Sequence, residues 1–253
     1  MGFAAGMFGS VVGVGGGTII VPALTACAGV AQRVVSGTSL VAVLATSAAS
    51  SAAYYAEGLV DARAAAIVAA AALLSASAGA RATAVLSAGQ LKRALGFFLV
   101  GVAPLVPLKK ALYIQRDSDA SGIKDAAATM ELSVARGAVL ALTGACAGFA
   151  SGLLGVGGGV IVTPMLALLT DLPQAAAVGT SLAAMFLPAC VGLATHASMG
   201  NVRWWRMGAA LAVGTAVGSS FGSRAAVQAP EGVLEGAFAL GMFFLGGKTL
   251  KWF

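Results

Sequence analysis

Four long stretches of the chain carry no charged residue, and they constrain its fold more than any other feature. They run from Met1 to Gln32, from Val34 to Ala56, from Gly137 to Thr170 and from Leu172 to Val202. A helix that crosses the hydrocarbon core of a bilayer needs about 20 mostly apolar residues. Only 9% of the residues are charged, against about a quarter in an average soluble domain. The sequence therefore predicts an all-α, polytopic membrane protein and excludes a water-soluble globule.

The apolar stretches divide the chain into about eight predicted membrane segments. They cover residues 3–28, 36–56, 64–86, 94–112, 133–170, 175–198, 206–226 and 233–252. Nine of the 24 charged residues lie between Lys109 and Arg136, so this interval is predicted to be solvated. We therefore expect a first transmembrane repeat over 1–108, a polar linker over 109–132 and a second transmembrane repeat over 133–253.

An internal repeat relates the two halves. A shift of 142 residues places GVGGG at 13–17 on GVGGG at 155–159, with 18 identities over the 55 positions from Gly6 to Val60. The pattern predicts two homologous four-segment repeats. Only 12 residues precede GVGGG in the first half, too few to span a bilayer. We therefore expect the first repeat to be short at its N-terminus because the sequence lacks roughly ten residues of its first helix, with a genuine half-helix as the alternative.

The duplicated GVGGG motif predicts a discontinuous helix in each half. Adjacent glycines interrupt a helix, and irregular backbone at membrane depth must be satisfied by protein or by a water-filled cavity. We expect such a cavity at the breaks. The second half of a broken helix begins with free N–H groups and a partial positive charge, which suits an anion. The predicted substrate-binding residues here are Gly15, Gly16, Gly17, Thr18, Gly157, Gly158 and Gly159.

Hydroxyl residues recur in the GTSL motif of both halves. Thr38, Ser39, Thr180 and Ser181 are predicted either to bind the same ligand or to cap the helices that begin there, and the two roles are compatible. Glycines at four-residue spacing have a simpler interpretation, because small residues let membrane helices approach closely. This packing role is predicted for Gly144, Gly148, Gly152, Gly214, Gly218 and Gly222.

Catalytic and cofactor chemistry find no support in the sequence. No nucleophile lies beside a base, the three cysteines sit in apolar stretches, and we expect no enzyme activity, cofactor or metal. His196 is the single histidine, and it is a candidate for proton coupling because histidine titrates near neutral pH. The net charge of +6 comes from scattered basic residues, as membrane topology requires, so no nucleic acid partner is expected.

Beyond these inferences, the sequence resembles a known family. The doubled GxGGGxxxxP with its following GTS, and the later pairs Gly58–Val60 and Gly200–Val202, resemble the sulfite exporter TauE/SafE family, also called the toluene-sulfonate uptake permeases. The resemblance implies a membrane transporter of sulfite, sulfonates or related anions, built from two four-helix repeats around a central site. It also implies that Pro22, Gly37, Pro164 and Gly179 belong to the structural motif.

The working hypothesis is a carrier of small anions that works by alternating access between the two repeats. An anion channel and a non-transporting scaffold, or inactive truncated homologue, are the alternatives. The expected partners are the lipid bilayer and a small anionic substrate, and homo-oligomerisation is left open. The expected location is a plasma membrane or inner membrane, which the chain crosses several times.

Overall fold

The computed structural model describes residues 1–27, 31–87, 134–170, 172–202 and 205–228, with scattered positions in 89–100 and at 236, 240 and 243. Eight helices have bounds within the described residues, and the described residues contain no strand. The helices are α1 (Gly2–Val12), α2 (Gly17–Cys27), α3 (Gln32–Ala56), α4 (Ala62–Ala82), α5 (Val134–Leu154), α6 (Gly159–Leu169), α7 (Gln174–Ser198) and α8 (Trp205–Gln228). The predicted linker, and most of the predicted segments 94–112 and 233–252, lie outside the described residues.

Four of the described helices, α3, α4, α5 and α7, are long and apolar enough to cross a membrane. Helices suit this environment because all their backbone hydrogen bonds are made within one segment. The prediction of an all-α, polytopic membrane protein is confirmed for this part of the chain.

Each GVGGG motif separates two helices. α1 ends at Gly13, which has a φ of 81° and donates its N–H to Gly9 O, and α2 begins at Gly17. In the second half, α5 ends before Gly155 with a φ of 69°, and α6 begins at Gly159. Side chains disfavour this left-handed region, whereas glycine enters it readily. The predicted broken helices are confirmed, and α1 aligns in the repeat with the last 11 residues of α5.

Glycine stripes hold two helix pairs in backbone contact. A Cβ on Gly148 of α5 would collide with the backbone of Ala72 in α4, and a Cβ on Gly6 of α1 would collide with Thr215 in α8. An added Cβ would also collide at Gly144, Gly152, Gly218 and Gly222, and at Gly214 it would lie 3.2 Å from the backbone of Gly2. Their predicted packing role is confirmed.

Each of the two pairs joins a helix from the first half of the sequence to a helix from the second half. α1 precedes the first break but packs on α8, while α5 precedes the second break and packs on α4. The long helices α3 and α7 contact each other between these pairs. As a result, the two breaks meet near the centre of the described structure.

The GTSL residues are not at helix starts. α3 begins at Gln32 and α7 at Gln174, so Thr38 and Thr180 lie in the second turn of their helices. Neither helix has a side-chain cap, since Ala31 and Pro173 occupy the cap positions. The capping interpretation was therefore wrong. The helices extend further because nothing between the glutamine and the glycine of GTSL breaks them.

Candidate functional site at the two helix breaks

The two breaks lie back to back in the interior. Residues 12–18 and 154–160 are buried throughout. A Cβ on Gly17 would lie 2.6 Å from Val156 O, and one on Gly159 would collide with Gly13 O. The Val43 side chain of α3 lies between the breaks, because a Cβ on either Gly15 or Gly157 would be 3.1 Å from it. Only glycine leaves room for so close an approach of two backbones.

Hydroxyls from one half hold the carbonyls of the other half's break. Ser39 Oγ donates to Gly155 O at 2.6 Å, and its repeat partner Ser181 donates to Gly13 O at 3.4 Å. Thr163 Oγ1 also donates to Gly13 O, at 3.2 Å. Protein groups, rather than the expected cavity, therefore satisfy these carbonyls.

Two larger side chains occupy equivalent positions near the ends of α1 and α5. The hydroxyl of Tyr54 donates to Ser10 O at 3.0 Å. Nε2 of His196 lies 2.8 Å from Gly152 O, and Asn201 Nδ2 lies 3.4 Å from His196 Nδ1. The last four carbonyls of a helix have no partner within it, so Tyr54 and His196 each satisfy one of them. This hydrogen-bond pattern fits a neutral ring with its hydrogen on Nε2.

The helices that follow the breaks begin with free donors. In α2 the N–H groups of Ile19 and Ile20 both go to Gly16 O at 3.2 Å, and those of Gly17 and Thr18 meet no acceptor among the described residues. α6 repeats the pattern: Ile161 and Val162 bond Gly158 O. Such a helix start attracts anions through its N–H groups and its dipole.

Within the described part of the chain, no charged side chain is buried in this region. Among the described residues, the buried polar side chains are those of Ser, Thr, Gln and His, without Asp, Glu, Lys or Arg. Any electrostatic attraction at the breaks therefore comes from helix ends and hydroxyl groups.

The structure separates the predicted hydroxyls into two groups. Ser39 and Ser181 lie at the breaks, whereas Thr38 Oγ1 donates to Val34 O within its own helix at 2.7 Å. Thr180 Oγ1 accepts the N–H of Asp61 at 3.0 Å, next to the start of α4. The glycines of GTSL serve close packing, since a Cβ on Gly37 would lie 2.9 Å from Asn201 O and one on Gly179 2.5 Å from Leu59 O. Pro22 and Pro164 lie inside α2 and α6.

Three further hydroxyls near the first break were not singled out from the sequence. Thr46, Ser47 and Ser50 of α3 are fully buried, and no hydrogen-bond partner is present for their oxygens in the described structure. Their spacing of i, i+1 and i+4 on a membrane helix was the available signal, because it places them on one side of the helix.

A cavity of about 320 Å³ opens elsewhere, between the C-terminal parts of α3 and α8. Its lining includes Glu57, Arg224 and Gln228. None of the glycines of either break is part of this lining, so the cavity is separate from the candidate site.

Comparison with known proteins identifies the kind of protein that carries this arrangement. The model of a family described as sulfite exporter TauE/SafE matches residues 1–249. The chain belongs to this family. Family membership, together with the apolar helices, makes it an integral membrane transporter, as the resemblance implied.

Curated relatives carry consistent names. A probable membrane transporter protein, YunE, of Bacillus subtilis (strain 168) is 30% identical over 219 residues, which cover 81% of this chain and 78% of that protein. A probable membrane transporter protein of Xylella fastidiosa (strain Temecula1) is 38% identical over 82 residues, covering 32% and 31% of the two chains. One of Haemophilus influenzae (strain KW20) is 37% identical over 70 residues, covering 25% and 26%. The comparison with solved structures gave no significant match.

Proposed function

We propose that this transporter carries small sulfur oxyanions, either sulfite or organic sulfonates, and binds them at the starts of α2 and α6. The observation that carries the proposal is the pair of buried helix breaks, each followed by a helix whose first N–H groups have no acceptor among the described residues. Buried donors without partners are unfavourable unless a ligand or water fills the position. An anion is the ligand that matches both the donors and the helix dipole.

The chain is further proposed to be built from two homologous four-segment repeats with about eight membrane crossings. Its support is that positions 142 residues apart make matching contacts. Ser39 with Gly155 O corresponds to Ser181 with Gly13 O, and Tyr54 with Ser10 O corresponds to His196 with Gly152 O. Two repeats around a central site suit alternating access, in which one repeat moves against the other.

The test of function is anion flux in proteoliposomes that contain the purified protein. We expect saturable uptake of sulfite or methanesulfonate that is accelerated when the same anion is present on the opposite side. Such trans-stimulation is a property of a carrier. Flux that neither saturates nor exchanges would instead indicate an anion channel. No flux of any sulfur oxyanion by a protein shown to be folded would contradict the proposal and favour a scaffold.

Substitution at the breaks tests the location of the site. Gly16→Leu and Gly158→Leu should abolish transport, because a Cβ on Gly16 would lie 3.0 Å from Ala5 O and one on Gly158 2.7 Å from Ala147 O. The control is Gly137→Leu in α5, where no atom lies within 4 Å of an added Cβ. Transport that survives both changes at the breaks would remove these glycines from the mechanism.

A further inference from the structure

Four hydroxyl groups in the interior have no hydrogen-bond partner in the described structure. They belong to Thr18 in the first turn of α2 and to Thr46, Ser47 and Ser50 on α3, and the exposure of each residue is 0%. Ser and Thr on membrane helices ordinarily donate to a carbonyl one turn earlier. Thr143 does so here, with its Oγ1 2.8 Å from Val139 O. The four unpartnered hydroxyls are therefore exceptions that call for a ligand.

The α3 hydroxyls lie on the same face of the helix as Val43, and they extend along α3 away from the first break. Val43, which lies between the two breaks, is one turn before Thr46 and Ser47, and Ser50 follows one turn later. Thr46 Oγ1 would be 3.4 Å from a Cβ placed on Gly16, the residue before α2. Thr46 of α3 therefore lies beside the start of α2, where Thr18 is also found. Ser47 and Ser50 continue along the same face of α3.

The second half lacks this set of hydroxyls. The 142-residue shift places Thr18, Thr46, Ser47 and Ser50 on Val160, Pro188, Ala189 and Gly192. None of these four has a side chain that can donate a hydrogen bond. The one hydroxyl seen beside the start of α6 is that of Ser181, 3.1 Å from a Cβ placed on Gly159, and it already donates to Gly13 O. The two helix starts therefore differ chemically although the backbone pattern is repeated.

We propose that the start of α2 and these four hydroxyls form one subsite, which binds the headgroup of a singly charged oxyanion. The subsite would exist in the first half only, and the start of α6 would face the less polar part of the substrate. This inference rests on the proposed function and adds to it a specific location and a charge preference.

The charge preference follows from the side chains that the described part of the chain buries. No buried Lys or Arg is found among the described residues, so the donors are neutral hydroxyl and N–H groups with a partial helix charge. The free energy of removing an ion from water rises with the square of its charge, and neutral donors offset it incompletely for a dianion. Hydrogensulfite and sulfonates carry one charge, whereas sulfate carries two. The subsite should therefore select the singly charged anions.

The test uses methanesulfonate uptake by the full-length protein in proteoliposomes. Thr46→Val, Ser47→Ala and Ser50→Ala remove the hydroxyls with little change in volume, and we expect the triple variant to raise KM by about tenfold or more. The matched controls are Thr143→Val and Ser51→Ala, whose hydroxyls bond their own helices, and their KM should not change. Sulfate should compete poorly with methanesulfonate for the wild-type protein.

A binding measurement separates loss of the site from loss of the fold. Removing an unpartnered hydroxyl should leave the melting temperature unchanged or higher, because no hydrogen bond is lost. Methanesulfonate should raise the melting temperature of the wild type and of the controls, but not of the triple variant. A triple variant with wild-type KM and wild-type ligand stabilisation would overturn the subsite alone. Equal competition by sulfate would overturn its charge preference, and a wild type that transports no oxyanion would overturn the proposed function as well.

Discussion

Buried hydroxyl groups near the breaks fall into two classes according to their partners. Ser39 and Ser181 donate to break carbonyls, while Thr46, Ser47 and Ser50 have no partner in the described structure. A hydrogen bond to an otherwise unpaired buried carbonyl stabilises the fold, whereas an unpaired hydroxyl does not. The same substitution, Ser→Ala, should therefore have opposite effects on stability at neighbouring positions of α3.

Ser39→Ala should lower the free energy of unfolding by about 1–3 kcal/mol, because it leaves Gly155 O without its donor. Ser181→Ala should have a smaller effect, since Gly13 O also accepts from Thr163 and lies farther from Ser181. Thermal unfolding in detergent measures both changes, with the half-buried Ser51→Ala as control. Equal melting temperatures for Ser39→Ala and Ser51→Ala would contradict the assigned role of Ser39.

The side chain of His196 has two competing roles that predict different results. If His196 only caps Gly152 O, a neutral donor is sufficient at this position. The His196→Gln variant should then retain transport, and transport should keep the same dependence on pH. As a proton-coupling group it would be irreplaceable, and His196→Gln would abolish the pH dependence. Uptake measured against external pH distinguishes the two roles, and the two hydrogen bonds of the ring lead us to expect the first result.

The glycine stripes of the helix pairs should not tolerate larger residues, because an added side chain would collide with the neighbouring helix. α5 offers a matched comparison within one helix, because Gly148 contacts α4 and Gly137 has no atom within 4 Å of an added Cβ. Gly148→Ala should lower the free energy of unfolding by about 1–3 kcal/mol, as overpacking of a close contact does. Gly137→Ala should cause no loss. Unfolding in detergent checks this expectation, which fails if both variants unfold alike.

The crossed packing of the helix pairs predicts that the two halves of the chain cannot separate freely. α1 packs on α8, α4 packs on α5, and hydroxyls cross at both breaks. If the chain is cut between 109 and 132 and both parts are co-expressed, an affinity tag on one part should purify the other. A bulky Gly148→Leu in the same split protein should weaken recovery, since it separates α4 from α5. Independent purification of the two parts would argue against the crossed arrangement.

The sequence predicted the membrane class and the helix breaks because both depend on local properties. Long uncharged stretches are compatible with spanning helices, and adjacent glycines between them interrupt a helix wherever it packs. The stripes of α5 and α8 were also predictable, since four-residue spacing places small residues on one helix face. Helix starts were less predictable, as shown by GTSL, because the glutamines that begin α3 and α7 carry no recognised start signal.

Local sequence patterns are sufficient for the membrane class, the internal repeat and the positions where helices are interrupted. Which groups meet at the interruptions depends on packing: Ser39 meets Gly155, Tyr54 meets Ser10, and four buried hydroxyls have no partner in the described structure. Interruption of a helix depends on the backbone preferences of adjacent residues, whereas satisfaction of its polar groups depends on helices more than 100 residues apart in the chain.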